Sequence, residues 1–128
     1  MQIILWGLNP ILTNVFEIRL RKYSLFLLKV NTMSEVLSRI HARHTQAIVL
    51  NVGALNSSVA NIVGLIRNDL NSNIPIVLIS ESDDQVNLIE EGIEAGATDF
   101  LMFPFQPIEL VMRLRLQLYG LGVSDVPK

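Results

Sequence analysis

Residues 74–110 read IPIVLISESDDQVNLIEEGIEAGATDFLMFPFQPIEL. Two continuous apolar runs, Ile76–Ile79 and Phe100–Phe103, flank a segment with helical periodicity that ends at Gly96. Glycine is common where a helix ends, and Pro107 suits the first turn of a further helix. Continuous apolar runs, unlike alternating ones, are typical of strands buried on both faces, as in a parallel sheet. The stretch therefore predicts a strand, a helix, a second strand and the start of a second helix.

The residues before position 74 repeat this alternation three times. Their apolar runs are Ile3–Trp6, Leu25–Leu28 and Ala47–Leu50. A helical segment follows each run, beginning at Asn9-Pro10, at Thr32 and at about Ser58, where the Asn, Thr and Ser side chains suit the N-cap. Five βα units predict an α/β fold, a (βα)5 doubly wound five-stranded parallel sheet of flavodoxin-like order 2-1-3-4-5 in a three-layer α/β/α arrangement. This domain is expected to span residues 1–120, with residues 121–128 as a C-terminal tail or a linker to an output domain.

Helical periodicity also assigns an inward face to the helices. The expected buried residues are Leu12, Val15, Phe16 and Leu20 in the first helix, Val36, Leu37 and Ile40 in the second, Ile62, Val63, Ile66 and Leu70 in the third, and Leu110, Val111, Leu114 and Leu118 in the fifth. The fourth helix is expected over about Asp84–Ala95. Asp83 and Asp84 are expected to open and cap it, because acidic residues are favoured in a first helical turn.

Composition excludes several classes of protein. Half of the 128 residues are hydrophobic, but no apolar run approaches the roughly 20 residues of a membrane span. The net charge of −2 gives the domain no electrostatic footprint for nucleic acid, so no direct nucleic acid binding and no membrane contact are expected. The absence of Cys excludes disulfides and thiolate metal sites and fits a reducing, cytoplasmic location.

The functional crevice of such a sheet lies at the carboxyl ends of the strands, where the strand order reverses. The pattern places there Gly7, Leu8, Asn9, Asn51, Val52, Gly53 and Ser80. None of them carries the carboxylate that magnesium prefers, and no nucleophile–base set or phosphate loop occurs. We therefore expect no enzyme, no metal and no cofactor. His41 and His44 lack an acidic or Cys partner nearby, so we expect them at the solvated end of the second helix rather than at a metal.

Four motifs resemble the bacterial response-regulator receiver domain of two-component signalling. AGATDF at 95–100 is similar to the family's Ala-Gly-Ala-Asp-Asp-Tyr, and FPFQPIEL at 103–110 is similar to Lys-Pro-Phe-x-Pro-x-Glu-Leu. IILWGLNP at 3–10 lies where the family has an apolar strand and an acidic pair. QAIVLN at 46–51 lies where its third strand ends in the phosphoacceptor Asp. The resemblance covers nearly the whole chain and implies the same flavodoxin-like fold.

The resemblance also shows that the phosphorylation residues are replaced. The metal-binding acidic pair falls on Gly7 and Leu8, the phosphoacceptor on Asn51 and the family's Lys on Phe103. The family's hydroxyl is retained at Ser80. The small residue after the hydroxyl falls on Glu81, and the switch aromatic falls on Phe100. Such a degenerate site implies a receiver that is not phosphorylated on Asp. We expect Leu8 and Phe103 to pack across the vacated space, Asn51 to bond loop amides, and the Phe103–Pro104 bond to be cis as in the family.

The outer side of the fifth helix predicts an interface. At 100° per residue, Met112, Leu116 and Tyr119 lie opposite the core stripe, with Ile108 at its edge. Asp99, Glu109 and Arg113 match charged residues that pair across the dimers of one large receiver subfamily. The leading hypothesis is therefore an atypical receiver that forms a homodimer or docks a protein partner through helix 4, strand 5 and helix 5, and that regulates transcription through a following output domain. The alternative is a small-ligand or anion binding module that uses the crevice after strands 1 and 3.

Overall fold

The computed structural model describes residues 2–42, 45–55, 57–69 and 72–119. Its five strands are β1 (Gln2–Trp6), β2 (Phe26–Val30), β3 (Thr45–Asn51), β4 (Ile76–Ile79) and β5 (Asp99–Leu101). All neighbouring strands are parallel and form one sheet in the order β2-β1-β3-β4-β5. The predicted doubly wound topology is therefore confirmed. The expected tail at 121–128 lies outside the described residues.

Helices follow each of the strands. They are α1 (Pro10–Arg21), α2 (Met33–His41), α3 (Val59–Gly64), α4 (Val86–Ala95) and α5 (Pro107–Tyr119). A π-helical turn at Leu65–Asp69 continues α3, and the predicted inward residue Leu70 lies outside the described part of the chain. No helix in that part is long and apolar enough to cross a bilayer.

The predicted caps explain where three of these helices begin. Asn9 Oδ1 accepts a hydrogen bond from Leu12 N at 3.0 Å, and Ser58 Oγ accepts one from Asn61 N at 3.0 Å. Thr32 Oγ1 accepts from Glu35 N at 3.2 Å, and Glu35 Oε1 accepts in turn from the Thr32 hydroxyl. These side chains satisfy amides that have no partner inside the helix, as their sequence spacing predicts.

The start of α4 differs from the prediction. The helix begins at Val86, its N-cap is Gln85, and its first turn contains no acidic residue. Asp84 instead accepts a hydrogen bond from the Ser82 hydroxyl. The chain before α4 turns around the buried Ser80 hydroxyl. This hydroxyl forms hydrogen bonds with the backbone of Ser82 and with the side chain of Gln85, and the helix begins only after Gln85.

Alternate residues of each strand face opposite sides of the sheet, so two apolar clusters form. One cluster joins β1, β3 and β4 to α2, α3 and α4, and includes Trp6, Leu50 and Leu78. The other joins the same strands and β5 to α1 and α5, and includes Phe16 and Leu110. Both faces of the sheet are therefore covered, as the continuous apolar runs predict.

One residue of the predicted core is exposed. Val15 was expected inside α1, but 38% of it is exposed, whereas Thr13 is buried. The inward face of α1 is centred on Thr13, Phe16 and Leu20, and Val15 lies about 100° around the helix from Phe16. The Thr13 hydroxyl donates a hydrogen bond to Asn9 O at 2.8 Å, which lowers the free-energy cost of burying this polar group.

Candidate functional site

Asn51 lies at the centre of the crevice. It ends β3 beside β1 and is 4% exposed. Its Nδ2 donates to Gly7 O at 2.8 Å, and its Oδ1 accepts from Gly53 N at 3.1 Å. The expected bond to a loop amide is therefore present. The bond to Gly7 needs a donor, which a neutral amide has and an ionised carboxylate lacks.

Position 7 has no room for a side chain. Gly7 adopts φ +91°, a conformation that L side chains rarely adopt, and an added Cβ would overlap Ala54 Cβ. Ala54 of the loop after β3 therefore fills the space that a side chain at position 7, the first residue of the family's acidic pair, would need. Leu8 is half-buried and packs against the α1–α5 side of the core. Neither Gly7 nor Leu8 supplies a ligand.

Glu81 places a carboxylate at this end of the sheet, and that carboxylate already has hydrogen-bond partners. Its Oε1 accepts from Asn9 N at 2.9 Å and from Asn9 Nδ2 at 3.3 Å. This pair of bonds ties the loop after β4 to the loop after β1. The sequence pattern alone indicates no role for Glu81. The signal that points to it is its position directly after Ser80, where the resemblance implies a small residue.

Ser80 is fully buried between β4 and the loop that follows it. Its hydroxyl has two acceptors within reach, Gln85 Oε1 at 2.9 Å and the carbonyl oxygen of Ser82, and it accepts from Ser82 N at 3.2 Å. Gln85 also lies against Gly53, where an added Cβ would overlap its Nε2. The side chain of Gln85 therefore lies between the loops that follow β3 and β4.

Phe103 does not fill the crevice, contrary to expectation. It is 51% exposed and lines an open groove of about 280 Å³ with Leu12, Glu81 and Phe105. Leu8 does not line that groove, so the groove does not bring Leu8 and Phe103 together as expected. A second expectation is confirmed, since the Phe103–Pro104 peptide bond is cis.

A second groove lies between α4 and β5. Its volume is about 360 Å³, and it is lined by Val86, Ile89, Glu90, Ile93, Glu94, Phe100 and Met102. We call it the α4–β5 groove. Phe100, the residue at the switch-aromatic position, is 43% exposed and forms part of its floor on β5. Val86 and Ile93 are exposed by 43% and 38%, so the apolar lining faces solvent.

The outer side of α5 is partly apolar, as predicted. Met112 and Leu116 are 49% and 47% exposed. Ile108 and Tyr119 are half-buried, and Ile108 packs against the α1–α5 core.

The three charged residues of the predicted interface make bonds within the chain. Arg113 Nη1 donates to Asp99 Oδ1 at 2.9 Å, which joins α5 to β5. Glu109 Oε1 accepts from Gln106 N at 3.2 Å at the start of α5. The subfamily to which these residues were matched pairs them between subunits, whereas in this chain each has an intramolecular partner.

Comparisons with known proteins relate these features to a family. No protein-family model matches the chain. The DNA-binding response regulator MtrA of Mycolicibacterium smegmatis is 28% identical over 110 residues, which are 86% of this chain and 47% of that protein. The phosphate regulon transcriptional regulatory protein PhoB of Pseudomonas aeruginosa is 40% identical over 63 residues, 48% of this chain and 27% of that protein. The chain thus spans about half the length of MtrA, and the match to PhoB is shorter.

Solved structures give the same result at the level of the fold. A response regulator from Chloroflexus aurantiacus superposes with a TM-score of 0.76 at 24% identity, over 91% of this chain and 96% of that one. The receiver domain of the TMAO respiratory system response regulator TorR superposes with a TM-score of 0.78 at 17% identity, over 94% and 98%. The chain has the receiver-domain fold. Its sequence is similar to response regulators over most of its length.

The receiver fold implies a magnesium ion, and the residues present do not fit one. The receiver domain of sensor histidine kinase PA1611 of Pseudomonas aeruginosa holds a magnesium ion in its active site cleft, and it superposes on this chain with a TM-score of 0.72 at 22% identity over 91% of this chain and 96% of that one. Here the corresponding loops offer Gly7, Leu8 and Asn51, and Asn51 directs a donor to Gly7 O. Within the described ranges, no group of three or more His, Asp or Glu side chains is placed to hold a metal ion.

The loops of this receiver fold also lack a cationic partner for a phosphoryl group. Residues 7–9, 51–58, 80–85 and 102–106 contain no Lys, Arg or His, while Glu81, Asp83 and Asp84 are acidic. Phosphoryl groups are stabilised in proteins by basic side chains and metal ions. The crevice therefore favours hydrogen bonding among its own loops over binding of an anion.

Proposed function

We propose that this chain is an atypical receiver in two-component signal transduction, one that is not phosphorylated on an aspartate and has no catalytic role. The observation that carries the proposal is the Asn51–Gly7 hydrogen bond of 2.8 Å. It uses an amide nitrogen where the resemblance implies a phosphoacceptor oxygen. Ala54 fills the space beside Gly7, so the proposal does not depend on a single replaced residue.

The proposal assigns the output of the domain to the surface formed by α4, β5 and α5. Large apolar side chains are exposed there in the α4–β5 groove and at Met112 and Leu116. Met and aromatic residues are enriched at protein interfaces, whereas an ordinary surface helix keeps its outer side polar. We infer that Asp99, Ile108, Glu109, Arg113 and Tyr119 border this docking surface. A protein partner or a second copy of the chain would bury it.

The similarity to response regulators supports a proposal about the kind of protein to which this domain belongs. MtrA is named a DNA-binding response regulator, and this chain matches 47% of its length. We propose that the chain is the receiver part of a cytoplasmic regulator, with an output domain after Lys128 that acts on transcription. The domain itself would contact protein rather than nucleic acid, in keeping with its net charge of −2.

An amide NMR titration tests the absence of phosphorylation. Spectra of the domain are recorded with magnesium alone and with magnesium plus beryllofluoride, a phosphoryl mimic. We expect the peaks of Asn51, Ser80 and the α4–β5 groove to stay in place at submillimolar mimic, because the crevice offers neither metal ligands nor a Lys. Shifts confined to these residues would contradict the proposal and would require a metal and acceptor arrangement other than the one described.

A second amide NMR titration tests the alternative of an anion-binding crevice. Inorganic phosphate is added to a separate, magnesium-free sample of the domain. The absence of Lys, Arg and His from the crevice loops predicts no saturable shift. A saturable shift at Gly7, Asn51 and Ser80 would favour the anion-binding module over the signalling proposal.

A further inference from the structure

The α4–β5 groove has acidic walls as well as an apolar floor. Glu90 and Glu94 lie one helical turn apart on α4, and both are exposed. Among the described residues, neither carboxylate has a hydrogen bond or an ion pair. The third acid of the helix, Glu91, is also exposed, and α4 contains no basic residue. The groove therefore favours an occupant that is apolar along its length and positively charged.

The outer side of α1 has those two properties. Ile11, Val15 and Ile18 are 76%, 38% and 61% exposed. They are spaced i, i+4 and i+7, so they form one line on the helix, and Lys22 at i+11 extends that line past the last turn. We call these four residues the α1 ridge. Single exposed apolar residues are normal on a protein surface, whereas three in line on one helix indicate an interface.

The ridge and the groove match in length and in charge. The i, i+4, i+7 spacing is the pattern by which an amphipathic helix anchors in an apolar groove. Ile11 and Ile18 are seven positions apart, as are Val86 and Ile93, and this separation spans about 10 Å along a helix. The last turn of α1 and its cap carry Arg19, Arg21 and Lys22, opposite in sign to the three glutamates of α4.

We propose that α1 of a second copy of this chain occupies the α4–β5 groove. Ile11, Val15 and Ile18 would contact the apolar lining, and Lys22 would lie against Glu90 and Glu94. The inference rests on the proposed function, because it names the occupant of the groove in the proposed docking surface. A two-fold dimer through α4 would instead bring two sets of glutamates towards each other, which is unfavourable.

The proposed contact joins two different surfaces of the same chain. Each copy offers one ridge and one groove, so the contact is head-to-tail and lets further copies add until the assembly closes or keeps growing. The average mass should therefore rise past that of a dimer as the protein concentration increases. A two-fold contact predicts a plateau at the dimer.

Two charged variants separate the ridge from the groove. The ridge variant is Ile11→Asp with Ile18→Asp, and the groove variant is Glu90→Lys with Glu94→Lys. All four positions are exposed, so we expect both variants to fold, which circular dichroism and thermal melts verify. Ser38→Asp on the exposed side of α2 is the matched control for a charge change outside both surfaces.

The measurement is the mass distribution by sedimentation equilibrium across a wide range of protein concentration. We expect the wild type and Ser38→Asp to associate beyond a dimer, and each of the two variants alone to associate at least ~10-fold more weakly. An equimolar mixture of the two variants retains one intact ridge and one intact groove. It should therefore form a dimer that does not grow.

Two outcomes would overturn the proposal in distinguishable ways. If the groove variant loses association while the ridge variant keeps it, and the mixture shows no rescue, the docking surface stands but α1 is not its occupant. If the wild type stays a monomer throughout, or neither variant alters its association, the head-to-tail contact is wrong. The absence of phosphorylation is decided separately by the beryllofluoride titration.

Discussion

The carboxylate of Glu81 and the backbone amide of Asn9, which are 72 residues apart in sequence, form a 2.9 Å hydrogen bond. The same Oε1 accepts from Asn9 Nδ2 at 3.3 Å, while Asn9 Oδ1 caps α1 through Leu12 N. Glu81 therefore orients the residue that begins α1. It joins the loops after β1 and β4 directly, at an edge of the sheet where the resemblance implies a metal site.

Glu81→Ala should lower the free energy of unfolding by about 1.5–3 kcal/mol, because hydrogen bonds to a charged group contribute that much and the α1 cap loses its support. Urea unfolding at neutral pH measures the change. Asp83→Ala in the same loop is the control. Asp83 is exposed, so its change should stay within about 0.5 kcal/mol. Equal effects of the two substitutions would show that the Glu81–Asn9 bond does not stabilise the domain.

Asn51→Asp should destabilise the domain at neutral pH, by about 3 kcal/mol, because it places a buried carboxylate against Gly7 O and removes the donor. Two effects raise the pKa of the introduced carboxyl. Burial disfavours its charged form, and only its protonated form can donate a hydrogen bond to Gly7 O. The folded-state pKa then exceeds that of the unfolded chain. The deficit is therefore absent below the unfolded pKa and grows as pH rises through the folded pKa.

Urea unfolding of the Asn51→Asp variant at acidic and at neutral pH measures this dependence. Asn61→Asp, on the exposed side of the first turn of α3, introduces the same charge at a tolerant position and serves as the control. We also expect no phosphorylation of the Asn51→Asp variant by a small-molecule phosphodonor. Gly7, Leu8 and Phe103 would still provide neither metal ligands nor a Lys. A variant as stable as the wild type at neutral pH, or one that takes up phosphate, would contradict this account of the crevice.

The sheet could be predicted from the sequence because burial on both faces leaves a clear record. Ile76–Ile79 is the predicted and the observed extent of β4, since all four residues are apolar and buried. β3 is longer than its apolar run, because Thr45, Gln46 and Asn51 also belong to the strand. Polar residues at strand ends pair through the backbone and carry no hydrophobic signal.

The place of the candidate site and the bond between Asn51 and a loop amide could be predicted, but the other contacts of the site could not. Topology alone locates Asn51 and Ser80 at the carboxyl ends of neighbouring strands. The Glu81–Asn9 bond depends on how far two side chains reach between distant loops, which periodicity does not encode. The same limit explains Phe103, whose side chain was expected in the crevice and lies half exposed in the groove beside Glu81.

Two helical glycines predict opposite effects of the same substitution. Gly92 lies in α4 against β4, where an added Cβ would overlap Leu78 Cδ1 and lie 3.2 Å from Val59 Cγ2. Gly64 lies in α3, where the nearest atom to an added Cβ is Asn68 Nδ2 at 4.0 Å. Alanine is favoured over glycine in a helix by about 0.8–1 kcal/mol, so only the packing distinguishes the two sites.

We expect Gly64→Ala to raise the free energy of unfolding by about 0.5–1 kcal/mol, and Gly92→Ala to lower it by about 1–3 kcal/mol through overpacking. Thermal and urea unfolding of the two variants measure both changes, and each variant is the control for the other. Stabilisation by Gly92→Ala would show that α4 can move away from β4 at little cost. It would also weaken the case for a groove of fixed shape between α4 and β5.

Arg67 holds the end of α3 to the neighbouring loops through backbone carbonyls. Its Nε donates to Gly96 O at 2.8 Å, and its Nη1 donates to Ser72 O at 3.0 Å and to Ile74 O at 2.5 Å. Burial lowers the pKa of Arg67, so the charge costs desolvation energy, although an arginine stays protonated at neutral pH. The bonds and the burial cost therefore act in opposite directions.

Arg67→Met tests which of the two prevails, because Met keeps the apolar stem and removes the donors. We expect a loss of about 1.5–3 kcal/mol in the free energy of unfolding, since three carbonyls lose a charged donor. Arg39→Met on the exposed side of α2 is the control and should change stability by less than about 0.5 kcal/mol. Faster hydrogen exchange at Gly96 and Ala97 would locate the effect at the end of α4. If Arg67→Met is as stable as the wild type, the desolvation of the guanidinium offsets its three hydrogen bonds, and another contact must hold the end of α3 to α4.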